Sequence, residues 1–454
     1  MKALLTPPAG SKLLFSNRNL FYLFLPLVCE QLLVVLAGFT DSIMAAAIGQ
    51  AAVSGISLID NIMLLIILIF VALATGGSVI MGQYLGRGDR GRAREAGRQL
   101  VWMVGLISLV FMALFFLCRP FILYKLYGSS SPEVLASADT YLQVIGLSIP
   151  MLALFQAGSV IFRTAGNTKF PMTIVFFADI LNIVGNYVAI YILGWGVFGT
   201  ALATTLSRLF SAVIVLVVGQ RARFSLQIPP LHKVKLDWDL IHRMLLVGVP
   251  FSVENGLFQL GKVMVMSIVT MFGTNAITAN AVGIVFTNLQ VLPGIAMNLG
   301  MTTVVARCLG AGDVEQSRYY THKIMALITL TNLSLTILTF LCWPLILSIY
   351  NFPKETMDMV WQIMFWHGML QIFIWPEAFS LPVTFRAAGD AKFTMMAGVI
   401  IMMLVRVAGA YVLAIPLGFG MFGTWLGMFL DWVFRVIVYV PRYRSRKYLN
   451  HKLI

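Results

Sequence analysis

The sequence predicts an all-α integral membrane protein with about twelve transmembrane helices in two pseudo-symmetric lobes of six, both termini on the cytoplasmic side. Three observations predict it. The composition is that of a chain water could not solvate, the apolar runs are of bilayer length, and the second half repeats the first. Of 454 residues 59% are hydrophobic and 11% charged, against roughly 25% charged in a soluble domain, and the mean hydropathy is +0.88.

Taken in chain order, the first set of crossings falls near residues 20–48, 53–81, 100–118, 141–162, 170–193 and 197–218. The second falls near 244–272, 279–306, 324–349, 359–385, 393–415 and 421–440. Each run supplies the roughly 20 apolar residues a helix needs to cross a bilayer. Helices are expected because a backbone in lipid must satisfy its own polar groups, and the runs are too long and too unbroken for barrel strands. The first run is far longer than the core of a cleavable signal peptide and is expected to remain as a helix. The organisation expected is a lobe over 1–219, a polar connector over 220–243, and a second lobe over 244–454 with a basic tail.

Charge orients the helices, because Lys and Arg collect in cytoplasmic loops. Basic clusters occur at Lys2, Lys12 and Arg18; at Arg87 to Arg98; at Arg163 and Lys169; and at Arg221, Arg223, Lys233, Lys235 and Arg243. They continue at Arg307, Arg318 and Lys323, at Arg386 and Lys392, and from Arg435 to Lys452. The alternate loops hold only Arg119, Lys125 and Lys354, beside Glu133, Asp139, Glu355 and Asp358. Topology thus accounts for the net charge of +14, and a nucleic-acid partner is not expected. Cys29, Cys118, Cys308 and Cys342 lie in or beside apolar runs without metal-site spacing and read as packing residues.

The repeat is dense. Pro26 and Glu30 recur as Pro250 and Glu254, and Gly49 as Gly273. Leu85, Gly86, Gly88 and Asp89 recur as Leu309, Gly310, Gly312 and Asp313. Phe162, Arg163, Gly166 and Lys169 return as Phe385, Arg386, Gly389 and Lys392, and Gly194 to Thr200 as Gly418 to Thr424. An even number of helices per copy keeps the copies in one orientation, which predicts lobes related by an axis along the membrane normal, as in rocking transporters.

These strings resemble the multidrug and toxic compound extrusion transporters, in their prokaryotic form, within a superfamily that also holds lipid-linked oligosaccharide flippases. The resemblance covers nearly the whole chain. It rests on the segment from Phe39 through Asp41 to Gly49, on Tyr84 to Asp89, Phe162 to Lys169 and Leu181 to Tyr187, and in the second half on Val249 to Glu254, Phe385 to Lys392 and Asp431 to Arg435. It implies a V-shaped pair of lobes in the inner (plasma) membrane that exports amphipathic, mostly cationic organic compounds in exchange for Na⁺ or H⁺. It implies no organic cofactor, small organic substrates and the bilayer as partners, and function as a monomer. The flippase reading, for a lipid-linked glycan or other amphiphilic lipid, is the alternative.

Coupling chemistry is expected at carboxylates within the membrane, where a charge costs about 2.5–3.5 kcal/mol and is rarely kept without a use. Asp41 and Glu30 share the first helix, separated by close to three turns, and Asp41 matches the family's first-helix acid. On the fifth crossing Asp179, Asn182 and Asn186 fall on one face, with Thr200 and Thr204 of the sixth as further oxygen donors. Carboxylate, amide and hydroxyl oxygens are a hard set suited to an alkali cation, so Na⁺ at Asp41, Asn182 and Asn186 is one reading and hydrogen-bonded helix packing by the two Asn the other. In the resembled family the position of Asn186 is commonly an Asp. In the second lobe Glu254 is the matched acid, with two readings, an ion pair to Arg406 or a proton or substrate role. Lys262, Arg406 and Glu377 are the remaining substrate or counter-ion candidates. Asp60, Arg208, Asp431 and His367 read as satisfied interior polar groups. The 25 Met and 32 Phe suit an adaptable apolar cavity but mostly face lipid or other helices. No phosphate-binding Gly-Lys-Ser/Thr string, nucleophile-base pair or metal-binding His pair is present, so an enzyme is not expected.

Overall fold

The computed structural model describes Pro7 and residues 13–128, 130–221, 235–349 and 352–454. Lys2, Lys12, Arg223, Lys233 and residues 222–234 of the connector lie outside these. The described chain is almost entirely helical: α1 Asn17–Ala46, α2 Gln50–Arg87, α3 Arg90–Leu117, α4 Pro132–Ile145, α5 Ile149–Thr164, α6 Lys169–Tyr187, α7 Gly196–Gly219, α8 Trp238–Val269, α9 Gly273–Gly310, α10 Val314–Leu341, α11 Trp343–Ile349, α12 Lys354–Trp375, α13 Leu381–Ala387, α14 Ala391–Ile400, α15 Ala408–Ala414 and α16 Gly420–Arg444. Among the described residues ten helical stretches are long and apolar enough to cross a membrane. One of them, 238–310, is α8 and α9 joined by a 3₁₀ turn at Thr270–Phe272, and the helical stretch 354–387 is additional to the ten.

The repeated strings Leu85 to Asp89 and Leu309 to Asp313 are helix punctuation. Gly88 ends α2 with φ +87°, and the amide of Asp89 reaches back to the Tyr84 carbonyl at 3.0 Å. Asp89 then starts α3, its carboxylate accepting from the Arg92 amide at 2.9 Å. In the second copy Gly312 has φ +76°, Asp313 N donates to Cys308 O at 3.0 Å, and Asp313 accepts from Gln316 N at 2.8 Å. A left-handed residue after one helix, followed by a carboxylate capping the next, makes a tight stop and restart.

Proline interrupts several crossings. The expected single crossing over 324–349 ends as α10 at Leu341, and Trp343–Ile349 is a separate short helix with Pro344 in its first turn, where a missing N–H costs nothing. The equivalent Pro120 precedes a π turn at Phe121–Leu126. The fourth crossing is α4 and α5 joined by a 3₁₀ turn at Gly146–Ser148, with Pro150 at the start of α5. The tenth is α12 and α13 joined by a π turn at Pro376–Ser380, and the eleventh α14 and α15 joined by one at Ile401–Val407. Such i→i+5 turns are rare and concentrate at functional positions.

Packing divides the chain elsewhere than at the 220–243 connector. One compact unit is Ser16–Ser252, and the other joins Leu14 and Phe15 to Val253–Ile454, so the division falls inside α8. The reason is local contact. In the first unit the start of α8 lies against α2, where a Cβ on Gly76 would sit 2.3 Å from the Met244 carbonyl oxygen, and Ser252 donates to Ile69 O at 3.2 Å. In the second unit Leu14 N donates to Gln316 Oε1 and Phe15 N to the Tyr320 hydroxyl, both at 3.0 Å. Sequence repetition and packing therefore place the boundary at different points.

Candidate functional site

In the first unit, α1, α6 and α7 bring the candidate oxygens together. Gly185 on α6 lets α7 approach closely, since a Cβ there would meet that of Ala203 at 3.0 Å. The consequence is a continuous side-chain chain. Asn186 Nδ2 donates to Asp41 Oδ1 at 2.8 Å and to Asn182 Oδ1 at 3.2 Å, and Asn182 Nδ2 donates to Thr204 Oγ1 at 3.0 Å. Thr204 donates onward to the Thr200 carbonyl at 3.1 Å. Asn182 and Asn186 are buried, and the Asn186 Oδ1 atom is buried with no hydrogen-bond partner. Asp179 shows the same feature: its Oδ2 atom is buried and unpartnered, and it lies within electrostatic reach of Asp41 without bonding to it. The Asn186 oxygen thus lies beside the Asp41 carboxylate, and Asp179 stands two helical turns from Asn186 along α6. Buried oxygens without a donor are where a water or a cation is to be expected.

Asp60 and Arg208, which the sequence reads as satisfied interior polar groups, are hydrogen-bonded and also lie within electrostatic reach of Asp41. Both act electrostatically on Asp41. The Tyr141 hydroxyl donates to Asp60 Oδ1 at 3.0 Å, and Arg208 donates to Ser148 Oγ at 2.7 Å. They come from α2 and α7, with Tyr141 from α4, and no spacing within one helix could have reported that meeting. Thr205, next to Thr204, donates to the Val144 carbonyl at 3.2 Å and ties α7 to α4 there.

Glu30 stands apart from Asp41. Eleven residues of α-helix separate them by about 16 Å along the axis, and Glu30 is buried in an ion pair with Arg163 of α5. The second unit repeats the arrangement: Glu254 Oε2 lies 3.5 Å from the guanidinium of Arg386. Of the two readings of Glu254, the ion pair is present but is made with Arg386, the repeat partner of Arg163, and not with Arg406. Gly398 leaves the room, because a Cβ on it would lie 2.9 Å from Glu254 Oε1. Equivalent ion pairs thus recur at equivalent points of both copies, and in each the carboxylate keeps one buried oxygen, Glu30 Oε2 and Glu254 Oε2, without a hydrogen-bond partner.

The remaining second-unit candidates separate. Asp431 is fully buried and both its oxygens lie 3.2 Å from Arg435 Nε. Lys262 and Arg406 both lie over the Phe258 ring, at 5.5 and 5.4 Å from its centroid. Glu377, in the π turn after α12, is not among them; it lines a groove of about 790 Å³ between α10 and α16. His367 is buried, its Nδ1 atom 2.7 Å from Gln290 Oε1, as a satisfied interior group should be. Among the described residues no group of three or more His, Cys, Asp or Glu is placed to hold a metal ion.

A family model described as MatE matches this chain over residues 26–188 and again over 250–412, one match in each repeat. The chain belongs to the MatE family. This MatE chain is 26% identical over 446 residues to the "Uncharacterized transporter YisQ" of Bacillus subtilis, covering 95% of each. It is 26% identical over 430 residues to the "Probable multidrug resistance protein NorM" of Thermotoga maritima, covering 92% of this chain and 90% of that one. Among solved structures, a MATE protein in its bent conformation superimposes with a TM-score of 0.86 at 18% identity, covering 94% of this chain and 95% of that one. An outward-facing multidrug resistance MATE transporter of the MOP superfamily also gives 0.86 at 18%, covering 96% and 97%. At such identity the likeness bears on fold, and the MatE architecture is shared throughout.

Proposed function

We propose that this MatE protein is a secondary antiporter of the plasma membrane, exporting amphipathic and mostly cationic organic compounds in exchange for Na⁺ or H⁺, with Asp41 as the coupling group. It works as a monomer, without an organic cofactor. The observation that carries the reading is the setting of Asp41: a carboxylate held by one amide donor, beside the unpartnered oxygen of that same Asn186 amide and within electrostatic reach of the Asp179 carboxylate. A charge in the bilayer is costly, and proton, alkali cation and cationic substrate can each relieve that cost at one carboxylate but not together. Competition for a single group is what couples two fluxes. The multidrug resistance proteins among its relatives support the same direction of use.

The test is dye movement in proteoliposomes under imposed Na⁺ or H⁺ gradients. Transport should need no ATP and should stop when both gradients are dissipated. Asp41→Asn keeps the side chain's size and hydrogen bonding while removing its charge, and should abolish gradient-driven transport at unchanged expression. Normal transport by this variant, with unaltered Na⁺ and pH dependence, would sink the assignment.

A further inference from the structure

The membrane-spanning part of the second unit holds more cations than its acids can neutralise. Arg386 pairs with Glu254 at 3.5 Å and Arg435 with Asp431 at 3.2 Å. Glu254 and Asp431 thus each have their own arginine, and the third acid, Glu377, faces the groove between α10 and α16 and stands in none of the ion pairs among the described residues, which leaves Lys262 and Arg406 over. Among the described residues neither stands in an ion pair or hydrogen bond, and the Arg406 Nε atom is buried without a partner. Asp431 is within electrostatic reach of Arg406, but both of its oxygens are engaged by Arg435. Charges inside a bilayer normally pair, or else mark a substrate or ion path.

Lys262 does not extend toward the nearer end of its helix. Lys262 lies on α8, and its ammonium is over Phe258, one turn back toward the start of the helix and so away from the nearer end at Val269. A snorkelling lysine would extend the other way. Arg406 comes to the same ring from the π turn Ile401–Val407. Phe258 packs edge-on against Phe379 at 6.3 Å, and both rings are half-buried, while Lys262 is exposed and Arg406 half-buried. Arg435, held by Asp431, lies over the same rings at 5.5 Å from Phe258 and 5.2 Å from Phe379, so that two unpaired cations and two half-buried rings adjoin at one place.

We propose that this surface is an anion subsite, in which Lys262 and Arg406 bind the carboxylate or sulfonate of an amphipathic solute whose aromatic body lies on Phe258 and Phe379. It rests on the exporter reading for its biological use and extends the substrates to compounds that carry an oxyanion, zwitterions included. The binding itself needs no gradient. A planar oxyanion suits the arginine fork and the lysine supplies a second charge, while the half-buried rings that hold the cations offer apolar contact at their uncovered parts.

The test uses purified full-length protein in phosphatidylcholine nanodiscs and three fluorescent probes with one aromatic body: pyrenebutyrate, its neutral amide and the matching primary amine. Wild type should bind the carboxylate roughly tenfold or more tighter than the amide, and Lys262→Gln with Arg406→Gln should erase the preference while leaving amide binding unchanged. If the double variant does not fold, Lys262→Gln alone, at an exposed side chain, should weaken only the carboxylate, and Lys262→Arg should retain it. Equal binding of carboxylate and amide by wild type, a preference for the amine, or a preference that survives the folded variants would each overturn the subsite. Replacing part of the lipid by phosphatidylglycerol should not displace the probe; displacement would overturn the solute reading and assign the cations to a lipid headgroup. Since no flux is measured, failure of ion-coupled transport would leave this result standing, and the reverse.

Discussion

Asn186 donates to Asp41 where an aspartate could only repel it. The resemblance marks that residue as a departure from the commoner Asp, and the hydrogen bond explains how one fewer charge is accommodated: the amide bridges Asp41 and Asn182 and leaves its own oxygen free. Asn186→Asp would set two carboxylates against each other at 2.8 Å, which cannot both stay ionised without a shared proton or a cation between them. The variant should therefore gain thermal stability on adding Na⁺ or on acidification, by more than wild type does, as read by melting curves in detergent; identical curves would show that Asn186 is only helix packing. Glu30 predicts differently. Removing one member of a buried pair leaves the other charge uncompensated, at about 3–5 kcal/mol, so Glu30→Gln should lower the melting temperature sharply, and the exchange of Glu30→Arg with Arg163→Glu should recover part of it. If Glu30→Gln melted like wild type but lost ion coupling, Glu30 would be a coupling residue after all.

At the scale of elements, the long apolar runs were legible as helices but their interruptions were not. Periodicity reports a helix, whereas the register shift of a π turn depends on what packs beside it, and Glu377 and Arg406 both lie in such turns. The close crossing of α2 with the start of α8 was equally hidden, because a glycine in an apolar run carries no sign of what it faces. Gly76 and Gly248 both lie in this crossing, and a Cβ on Gly248 would lie 3.0 Å from the Leu73 Cα. Small residues let membrane helices approach where no hydrophobic drive exists. Gly76→Ala should accordingly destabilise the protein by about 1–3 kcal/mol through overpacking, measured as a loss of monodisperse protein on heating. Gly38→Ala is the comparison, since nothing lies within 4 Å of the added carbon, and equal effects of the two would refute the contact.

For the whole molecule, the alternation of basic and non-basic loops predicts orientation. In a variant lacking the four native cysteines, a cysteine at Gly128 should react with an impermeant reagent from outside the cell, and one at Arg90 only after permeabilisation; outside labelling at Arg90 would invert the topology. Composition, run length and repeat were sufficient by themselves for the membrane class, the helical fold and the tandem architecture, because hydrophobicity and internal hydrogen bonding constrain every bilayer-spanning chain alike. That Asn182 and Asn186 share one face of α6 was within reach as well, since helical spacing lines them up. Partner choice between helices was decided by the tertiary structure alone. It gave Glu254 to Arg386 and not to Arg406, brought Asp60 and Arg208 to Asp41, and set Lys262 and Arg406 on one ring without an acid. The physical reason is that a buried charge is satisfied by whichever group packing brings within a few ångströms, and the chain position of that group leaves no local signature.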